Sequence, residues 1–355
     1  LGAELIRQGH EVGIIAIRDK YVSSVFTGNQ ESETLFIPIL RIPLIYNTRQ
    51  RFTNAKNWID KFDPEWLSLQ YVPFTFQTKG LPFWLSKHLK FVAGKRNWHI
   101  MFHETWVGSE SKLDIKKIII SFLQKEMFRL MLSKVRPVII HTHLPLFKKR
   151  LQQLRYSNIK ALPLFSNTPV SLKEKSKDYT NFVFRIGFFS KFETSKSVLD
   201  FLSILGEQLI ENGLEPEVLI IGGKIEETNI YKQNIENISI YKNRVIQTGF
   251  LQPVELSEKL QSCSLGITPV PRHVLGKSAS VATFLFHGVP IAAPNHHLQY
   301  DDLDIGFFLP NLTLAVMLQP DLNSFQKAKE ATSKARDEIK LSTIVQCFIA
   351  DLQNV

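Results

Sequence analysis

The chain has 355 residues, of which 44% are hydrophobic and 21% charged, which is typical of folded proteins and excludes disordered classes. No apolar run approaches the ~18–20 residues that span a bilayer, so we expect no transmembrane helix. The only cysteines are Cys263 and Cys347, so we expect no disulfide framework and a cytoplasmic location. The net charge is +10, and residues 1–178 carry 28 Lys and Arg against 14 Asp and Glu; the first half should therefore meet an anionic membrane, a phosphorylated acceptor or nucleic acid.

The first residues predict an interrupted domain. The segment LGAELIRQGHEV is typical of the second half of a helix followed by a strand at Val12–Ile17. In a doubly wound domain the strand before such a helix is central, and no such strand precedes it here. We interpret the sequence as an N-terminally truncated fragment.

Strands and helices alternate through the first half, as a parallel sheet requires. The predicted strands are Val12–Ile17, Leu35–Ile39, Trp66–Gln70, His99–His103, Val138–Thr142 and Ala161–Phe165. The predicted helices are Thr48–Phe62, Leu81–Phe91, Asp114–Lys134 and Pro145–Leu154. Apolar strands buried on both faces belong to α/β proteins. A Lys-rich boundary at Ser171–Thr180 gives a first domain of residues 1–175.

The same alternation resumes after the boundary. It predicts strands at Phe182–Phe189, Glu217–Ile221 and Val245–Thr248, a helix at Ser195–Asn212 and a long helix from Leu322 to Leu352. The second domain then covers residues 176–340, and residues 341–355 are expected to cross back to the first domain. The predicted fold class is α/β, with two Rossmann-like doubly wound domains facing a cleft.

A polar loop at residues 272–280 is the strongest candidate for an anion site. Its polar and small members are Arg272, Gly276, Lys277, Ser278 and Ser280. A helix is predicted from Val281, and Gly288 ends it. The start of a helix offers unpaired N–H groups and a positive dipole end, so the loop is suited to a phosphate.

Several segments occur in the order of a known family. They are RQGHEV (7–12), LQYVPF (69–74), HETW (103–106), PLFSNTPV (163–170), GFFSKFETSK (187–196), IIGG (220–223), TGFL (248–251) and HGVPIAAP (287–294). With them the chain resembles the retaining glycosyltransferases of family 4, which have the GT-B fold. The resemblance implies a nucleotide-diphosphate sugar as co-substrate and no other cofactor or metal.

The resemblance also implies roles for residues in the second half. Lys191 and Lys196 have the spacing of an Arg and a Lys that contact the donor diphosphate, and a lysine lacks the bidentate fork of arginine. Gly222 and Gly223 would form a tight turn near the donor. The family's two glutamates fall at Leu275 and Thr283, where neither residue is acidic. The second glutamate binds the donor ribose, so the resemblance implies that Thr283 gives the donor one hydroxyl hydrogen bond.

His103 is the candidate residue of the first half. It ends a predicted strand, and the resemblance implies that it orients a hydroxyl of the acceptor or donor. His99 and His103 have the i, i+4 spacing of metal ligands on helices, but this segment is predicted as a strand, so a metal site is not expected.

The segment Leu81–Arg96 combines Phe83, Trp84 and Phe91 with four basic residues. Such an amphipathic helix either lies at an anionic membrane surface or packs on the sheet with its lysines in water. No nucleic-acid-binding module is recognisable.

The sequence therefore predicts a metal-independent glycosyltransferase that moves a sugar from a nucleotide-diphosphate sugar to a glycan, lipid or small-molecule acceptor. It is expected to be cytoplasmic, either in solution or peripheral at a membrane. Two alternatives stay open: a catalytically silent GT-B binding subunit, and a sugar-nucleotide epimerase of the same fold.

Overall fold

Two compact units divide the chain. The computed structural model describes residues 1–32, 34–108, 115–171, 182–297 and 306–355. Unit 1 comprises Leu1–Thr142, Phe147–Leu162 and Val345–Val355, and unit 2 comprises His143–Leu146 and Pro163–Ile344. Residues 172–180 of the predicted boundary lie outside the described residues.

Unit 1 contains two sheets. The first has the order β1-β3-β2, in which β3 pairs parallel with β1 and antiparallel with β2, and the second has the parallel order β4-β5-β6-β7. The strands are β1 (Ile14–Asp19), β2 (Phe26–Ser32), β3 (Leu35–Pro43), β4 (Trp66–Tyr71), β5 (Asn97–Phe102), β6 (Ile139–Thr142) and β7 (Ile159–Ala161). The helices are α1 (Gly2–Arg7), α2 (Thr48–Phe62), α3 (Pro73–Phe76), α4 (Leu85–Ala93), α5 (Ile115–Val135) and α6 (Pro145–Gln152).

One apolar core joins the two sheets of unit 1. It contains Ile42 from β3, Ile59 from α2, Leu89 from α4, Ile100 from β5 and Phe128 from α5. Helix α2 begins with a capping box in which Asn47 and Gln50 satisfy each other's backbone N–H groups, a common helix start.

Unit 2 is a doubly wound domain. Its six parallel strands have the order β10-β9-β8-β11-β12-β13. The strands are β8 (Val183–Phe189), β9 (Glu215–Ile221), β10 (Val245–Gln247), β11 (Leu265–Ile267), β12 (Ile291–Ala292) and β13 (Val316–Met317). The helices are α7 (Lys196–Glu211), α8 (Ile225–Glu236), α9 (Pro253–Gln261), α10 (Ala279–Phe286), α11 (Pro310–Leu314) and α12 (Leu322–Glu338).

Several predicted elements were wrong. Strand β2 and helix α8 were not predicted, because β2 is polar and mostly exposed and α8 carries few apolar residues. The predicted strand Ala161–Phe165 lies earlier, as β7, since Pro163 cannot donate to a strand ladder. The predicted helix from Leu322 to Leu352 is two helices, α12 and α13 (Leu341–Gln353), and Ile339 ends the first without a glycine or proline.

The helices also bear on membrane insertion. Within the described ranges, every helix is too short or too polar to cross a bilayer.

Candidate functional site

Helix α10 begins beside the point where the strand order of unit 2 reverses. That reversal lies between β8 and β11, and open α/β sheets bind ligands outside the carboxyl ends of the strands at such a point. Gly187 and Gly266 are register partners in these strands, and a Cβ on Gly266 would lie 2.7 Å from Cγ of Phe284. The two glycines therefore let Phe284 pack directly on the sheet, which fixes α10 over the reversal point.

Asn295 connects the loops at this edge of the sheet. Its Oδ1 accepts a hydrogen bond from the Ser195 hydroxyl at 3.1 Å, and its Nδ2 donates to the carbonyl of Pro269 at 2.8 Å. Its own carbonyl accepts from the Arg272 N–H at 3.0 Å. Loops that follow β8, β11 and β12 are thus held together by one side chain.

The first turn of α10 carries small polar side chains. The hydroxyl oxygens of Ser278 and Ser280 are 3.1 Å apart and buried, while Lys277 is exposed. Among the described residues no side chain caps this helix. Its first N–H groups and dipole therefore remain an electropositive feature at the edge.

Thr283 lies one turn further along α10 and is buried. Its hydroxyl accepts a hydrogen bond from the Ser166 hydroxyl at 3.3 Å. Ser166 belongs to the segment PLFSNTPV, so the structure gives a partner to a residue that the sequence assigned to donor binding.

Arg272 and Gly276 have structural partners. The guanidinium of Arg272 donates to the carbonyls of Ala293 at 2.8 Å and Leu318 at 3.1 Å. The N–H of Gly276 donates to the Gly306 carbonyl at 2.9 Å, and a Cβ at Gly276 would lie 2.2 Å from that oxygen. Both residues hold the loop in place, and the predicted diphosphate contacts of Arg272 and Gly276 stay predictions.

The two predicted lysines after β8 are on the surface. Lys191 is exposed and follows Ser190, whose φ is 67°. Lys196 opens α7, is 89% exposed and pairs with Asp200 at 2.7 Å. Their position after β8 puts both at the carboxyl edge of the sheet, although an exposed ion pair contributes little energy.

Gly222 and Gly223 form the turn after β9, with φ of 82° and 77°, which only glycine adopts readily. The Gly222 N–H donates to the Thr248 hydroxyl at 3.0 Å. A Cβ at Gly223 would lie 3.1 Å from the Phe192 ring, so this glycine also permits contact with the loop after β8.

His103 lies just beyond β5 in unit 1. Its Nε2 is 2.9 Å from Oε1 of Gln70 on the neighbouring strand. Burial lowers the pKa of His103 from its ordinary value, so the ring is neutral at physiological pH.

The histidine pair considered for a metal has other partners. Nδ1 of His99 is 2.8 Å from the Ser68 hydroxyl and its Nε2 is 3.0 Å from Nδ1 of His141. In the part of the chain that the structure describes, no group of three His, Cys, Asp or Glu side chains has the arrangement of a metal site. Asp302 and Asp304, whose spacing resembles an Asp-x-Asp metal motif, lie outside the described residues.

Sequence reasoning missed several residues that organise these regions. Asn295 follows the segment HGVPIAAP directly, and that position after a strand was the available signal. Ser68 and Gln70 alternate along β4, and His141 lies on β6. No local pattern distinguished them from ordinary strand residues.

Comparisons with known proteins identify solved structures of similar fold. Neither a scan of family models nor a search of curated proteins finds a match. The chain is similar to a sucrose-phosphate synthase from Thermosynechococcus elongatus, with a TM-score of 0.58 and 14% identity over 99% of this chain and 91% of that one. It is similar to a glycosyltransferase from Rickettsia africae, with a TM-score of 0.53 and 13% identity over 89% and 86%.

A third structure is HepE from Anabaena, solved in complex with UDP and glucose. Its TM-score is 0.51, with 12% identity over 90% of this chain and 87% of that one. At these identities the likeness concerns the fold alone. It confirms the predicted α/β fold of the GT-B type, with Rossmann-like domains.

Proposed function

We propose that the protein is a glycosyltransferase that moves a sugar from a nucleotide-diphosphate sugar to a glycan, lipid or small-molecule acceptor. The observation that carries the proposal is the uncapped start of α10, fixed at the strand-order reversal of unit 2 and followed along its first turn by Ser280. This arrangement matches a pyrophosphate in charge and in hydrogen-bond donors. Several solved structures of this fold are named as glycosyltransferases or hold UDP, which supports the choice of reaction.

The proposed division of labour follows the two units. Unit 2 binds the donor, and Lys277, Lys191 and Lys196 stabilise the negative charge that grows on the leaving diphosphate. Unit 1 binds the acceptor, and His103 orients a hydroxyl. Because the cationic side chains neutralise the leaving group, the reaction is proposed to need neither a metal nor another cofactor, and the resemblance to family 4 supports retention at the anomeric carbon.

Binding of UDP and other nucleoside diphosphates to the full chain tests the donor site directly. Lys277→Ala should weaken UDP binding about 10-fold, since one charge-assisted phosphate contact contributes ~1.4 kcal/mol. Lys259→Ala is the matched control: Lys259 is also exposed but lies in the last turn of α9, at the amino edge of the sheet. Equal affinity in the two variants would contradict the site.

Turnover is tested with a panel of donor sugars and acceptors. Nucleotide release that depends on the acceptor supports transfer, and release that persists in excess EDTA supports metal independence. The anomeric proton coupling of the product reports retention. An altered sugar without nucleotide release would identify an epimerase instead.

A catalytically silent binding protein is the second candidate, and Leu275 favours it. This residue occupies a position where the resemblance implies a glutamate, and its side chain is fully buried. It lines a narrow, mainly apolar cavity with Leu164, Leu285 and Phe308, which suits packing and not a polar contact. Nucleotide binding without turnover on any donor would support this alternative.

We also propose that the protein is cytoplasmic and peripheral at an anionic membrane, with α5 as the contact. Helix α4, for which the sequence left open a membrane surface or packing on the sheet, buries Leu85, Leu89 and Val92 in the core. Helix α5, in contrast, leaves Ile118, Ile119 and Phe122 exposed.

These exposed residues form one stripe of α5. Ile115, Ile118, Ile119 and Phe122 have i, i+3, i+4, i+7 spacing, and Ile115 is 76% exposed, while the opposite side of the helix enters the core. A helix that is apolar on both sides usually has a partner on each. The surrounding lysines and the excess of basic residues in the first half favour anionic lipid as that partner.

Flotation with vesicles tests this surface. The protein should float with phosphatidylcholine vesicles that contain phosphatidylglycerol and remain behind with phosphatidylcholine alone. Phe122→Ser should reduce flotation, whereas Phe91→Ser, at an exposed phenylalanine of α4, should not. Loss of dimers on Phe122→Ser without any lipid effect would identify a second copy of the chain as the partner.

A further inference from the structure

One face of the second sheet of unit 1 carries an unusual row of polar side chains. Ser68 and His99 are register partners on β4 and β5, and His141 on β6 is the partner of Met101, two residues after His99. Side chains two residues apart point to the same face of a strand. Ser68, His99 and His141 therefore share a face, while Ile100 of the opposite face enters the apolar core.

Helix α13 covers the two histidines of this row. The ring of Phe348 lies 4.9 Å from the ring of His99 and 5.7 Å from that of His141. Asp351, one turn further on, places Oδ2 3.0 Å from Nε2 of His141. Both histidines are buried, so their hydrogen bonds are made with protein groups.

The contacts form one continuous chain of hydrogen bonds. Successive distances are His103 Nε2 to Gln70 Oε1 2.9 Å, Gln70 Nε2 to Ser68 Oγ 3.0 Å, Ser68 Oγ to His99 Nδ1 2.8 Å, His99 Nε2 to His141 Nδ1 3.0 Å, and His141 Nε2 to Asp351 Oδ2 3.0 Å. Lys160 Nζ lies 3.4 Å from the other oxygen of Asp351. Every link has the length of an ordinary hydrogen bond.

The carboxylate at one end determines the direction of every donor. An ionised carboxylate only accepts. His141 must then donate from Nε2, which leaves its Nδ1 to accept from Nε2–H of His99. By the same reasoning the Ser68 hydroxyl donates to Nδ1 of His99 and accepts from the Gln70 amide.

The hydrogen-bonded chain reaches His103 through Gln70. Since the amide nitrogen of Gln70 donates to Ser68, its oxygen accepts, and His103 must carry a proton on Nε2. Burial lowers the pKa of His99, His141 and His103, which keeps each ring neutral and the direction unambiguous. In a neutral ring with the proton on Nε2, Nδ1 carries the lone pair.

We propose that Asp351, His141, His99, Ser68 and Gln70 are positioning residues that hold His103 in one orientation and one tautomer, with Nδ1 as a hydrogen-bond acceptor. The catalytic meaning rests on the proposed function, because an acceptor at Nδ1 selects a hydroxyl group of a sugar and disfavours a phosphate oxygen. The tautomer itself does not depend on that function.

Nitrogen-15 NMR of the histidine side chains in the full chain tests the tautomers without an activity assay. Two-bond proton–nitrogen correlations should identify His99, His103 and His141 as Nε2–H forms near neutral pH, with assignments from single His→Gln variants. A proton on Nδ1 of any of the three would overturn the proposed direction.

A double-mutant cycle tests the transmission along the chain. Gln70→Leu and Asp351→Asn change opposite ends that do not contact one another, so independent effects would multiply. If the hydrogen-bonded chain acts as a unit, each single change should lower kcat about 10-fold, and kcat of the double variant should be no lower than that of either single variant. Multiplied effects, or single variants with unchanged kcat, would overturn the positioning role.

Two controls separate folding from positioning. Lys160→Met removes a neighbour of Asp351 that is not a link of the chain, and it should leave kcat within about 2-fold. Tryptophan fluorescence should report unchanged folding of each variant. If the tautomers are as stated and no donor supports turnover, the proposed function is wrong but the hydrogen-bonded chain is supported. If the enzyme turns over and the tautomers differ from those stated, the hydrogen-bonded chain is wrong but the proposed function is supported.

Discussion

Unit 1 should lose stability as the pH falls from about 7.5 to about 5.5, because it buries neutral histidines. Burial lowers the pKa of His99 well below its ordinary value, and His141 and His103 lower it further. Burial also lowers the pKa of His141, while Asp351 from α13 acts in the opposite direction and Lys160 from β7 adds to the lowering. Both histidines titrate near ~6.5 in the unfolded chain.

The sign and size follow from proton linkage. Below about pH 6.5 the unfolded chain binds protons that the folded chain does not, so the free energy of unfolding falls with the pH. Each histidine contributes up to ~1.4 kcal/mol per pH unit. Between about pH 6.5 and about pH 5.5 the loss should be ~1 kcal/mol for His99, because the unfolded histidine is already half protonated at the start, and His141 adds up to as much again.

The tryptophans allow this to be measured for unit 1 alone. All five tryptophans of the chain belong to that unit: Trp58, Trp66, Trp84, Trp98 and Trp106. Urea unfolding followed by tryptophan fluorescence at several pH values gives the slope. His99→Gln should flatten it; a slope of zero, or one unaffected by His99→Gln, would refute the reasoning.

Two further predictions concern unit 2. Gly266→Ala should destabilise it by ~1–3 kcal/mol, since the new Cβ would meet the ring of Phe284 and the packed site has no room for it. Gly2→Ala, whose Cβ would lie 3.5 Å from its nearest neighbour without a positive φ, tests whether steric contact is the cause. Cys347 is exposed and should react with a thiol reagent in the folded protein. Cys263 is buried, and burial raises the pKa of its thiol to about 12, so Cys263 should react only when unit 2 unfolds. Gly266→Ala should therefore accelerate labelling of Cys263, and equal rates in the two glycine variants would contradict the packing argument.

The alternation of apolar strands and helices was sufficient to predict the parallel sheets. Residues 186–189 of β8 and 218–221 of β9 are apolar runs because both faces of the sheet are covered, and that pattern is visible in a single sequence. Strand β2 was not predictable in this way, since its polar residues are stabilised by pairing with β3 and not by burial. Tertiary pairing supplies what its own residues lack.

The loop at the start of α10 was predictable as a helix start, but the partners of its residues were not. Lys277 and Ser278 precede α10, as expected. Arg272, in contrast, donates to the carbonyls of two other strand ends. Which charged residue faces a ligand and which supports a loop depends on strands that are distant in sequence.

The hydrogen-bonded chain in unit 1 illustrates the same limit with larger consequences. Two histidine side chains, His99 and His141, are buried on one face of a sheet, and they cost stability unless every polar atom finds a partner. Asp351 supplies the terminal acceptor from a helix 210 residues after His141 in sequence. Because no spacing rule relates these positions, the sequence alone suggested only a histidine pair on a strand. A partly satisfied polar chain would be less stable than an apolar face, so Asp351 is required both for the burial of His99 and His141 and for the tautomer of His103.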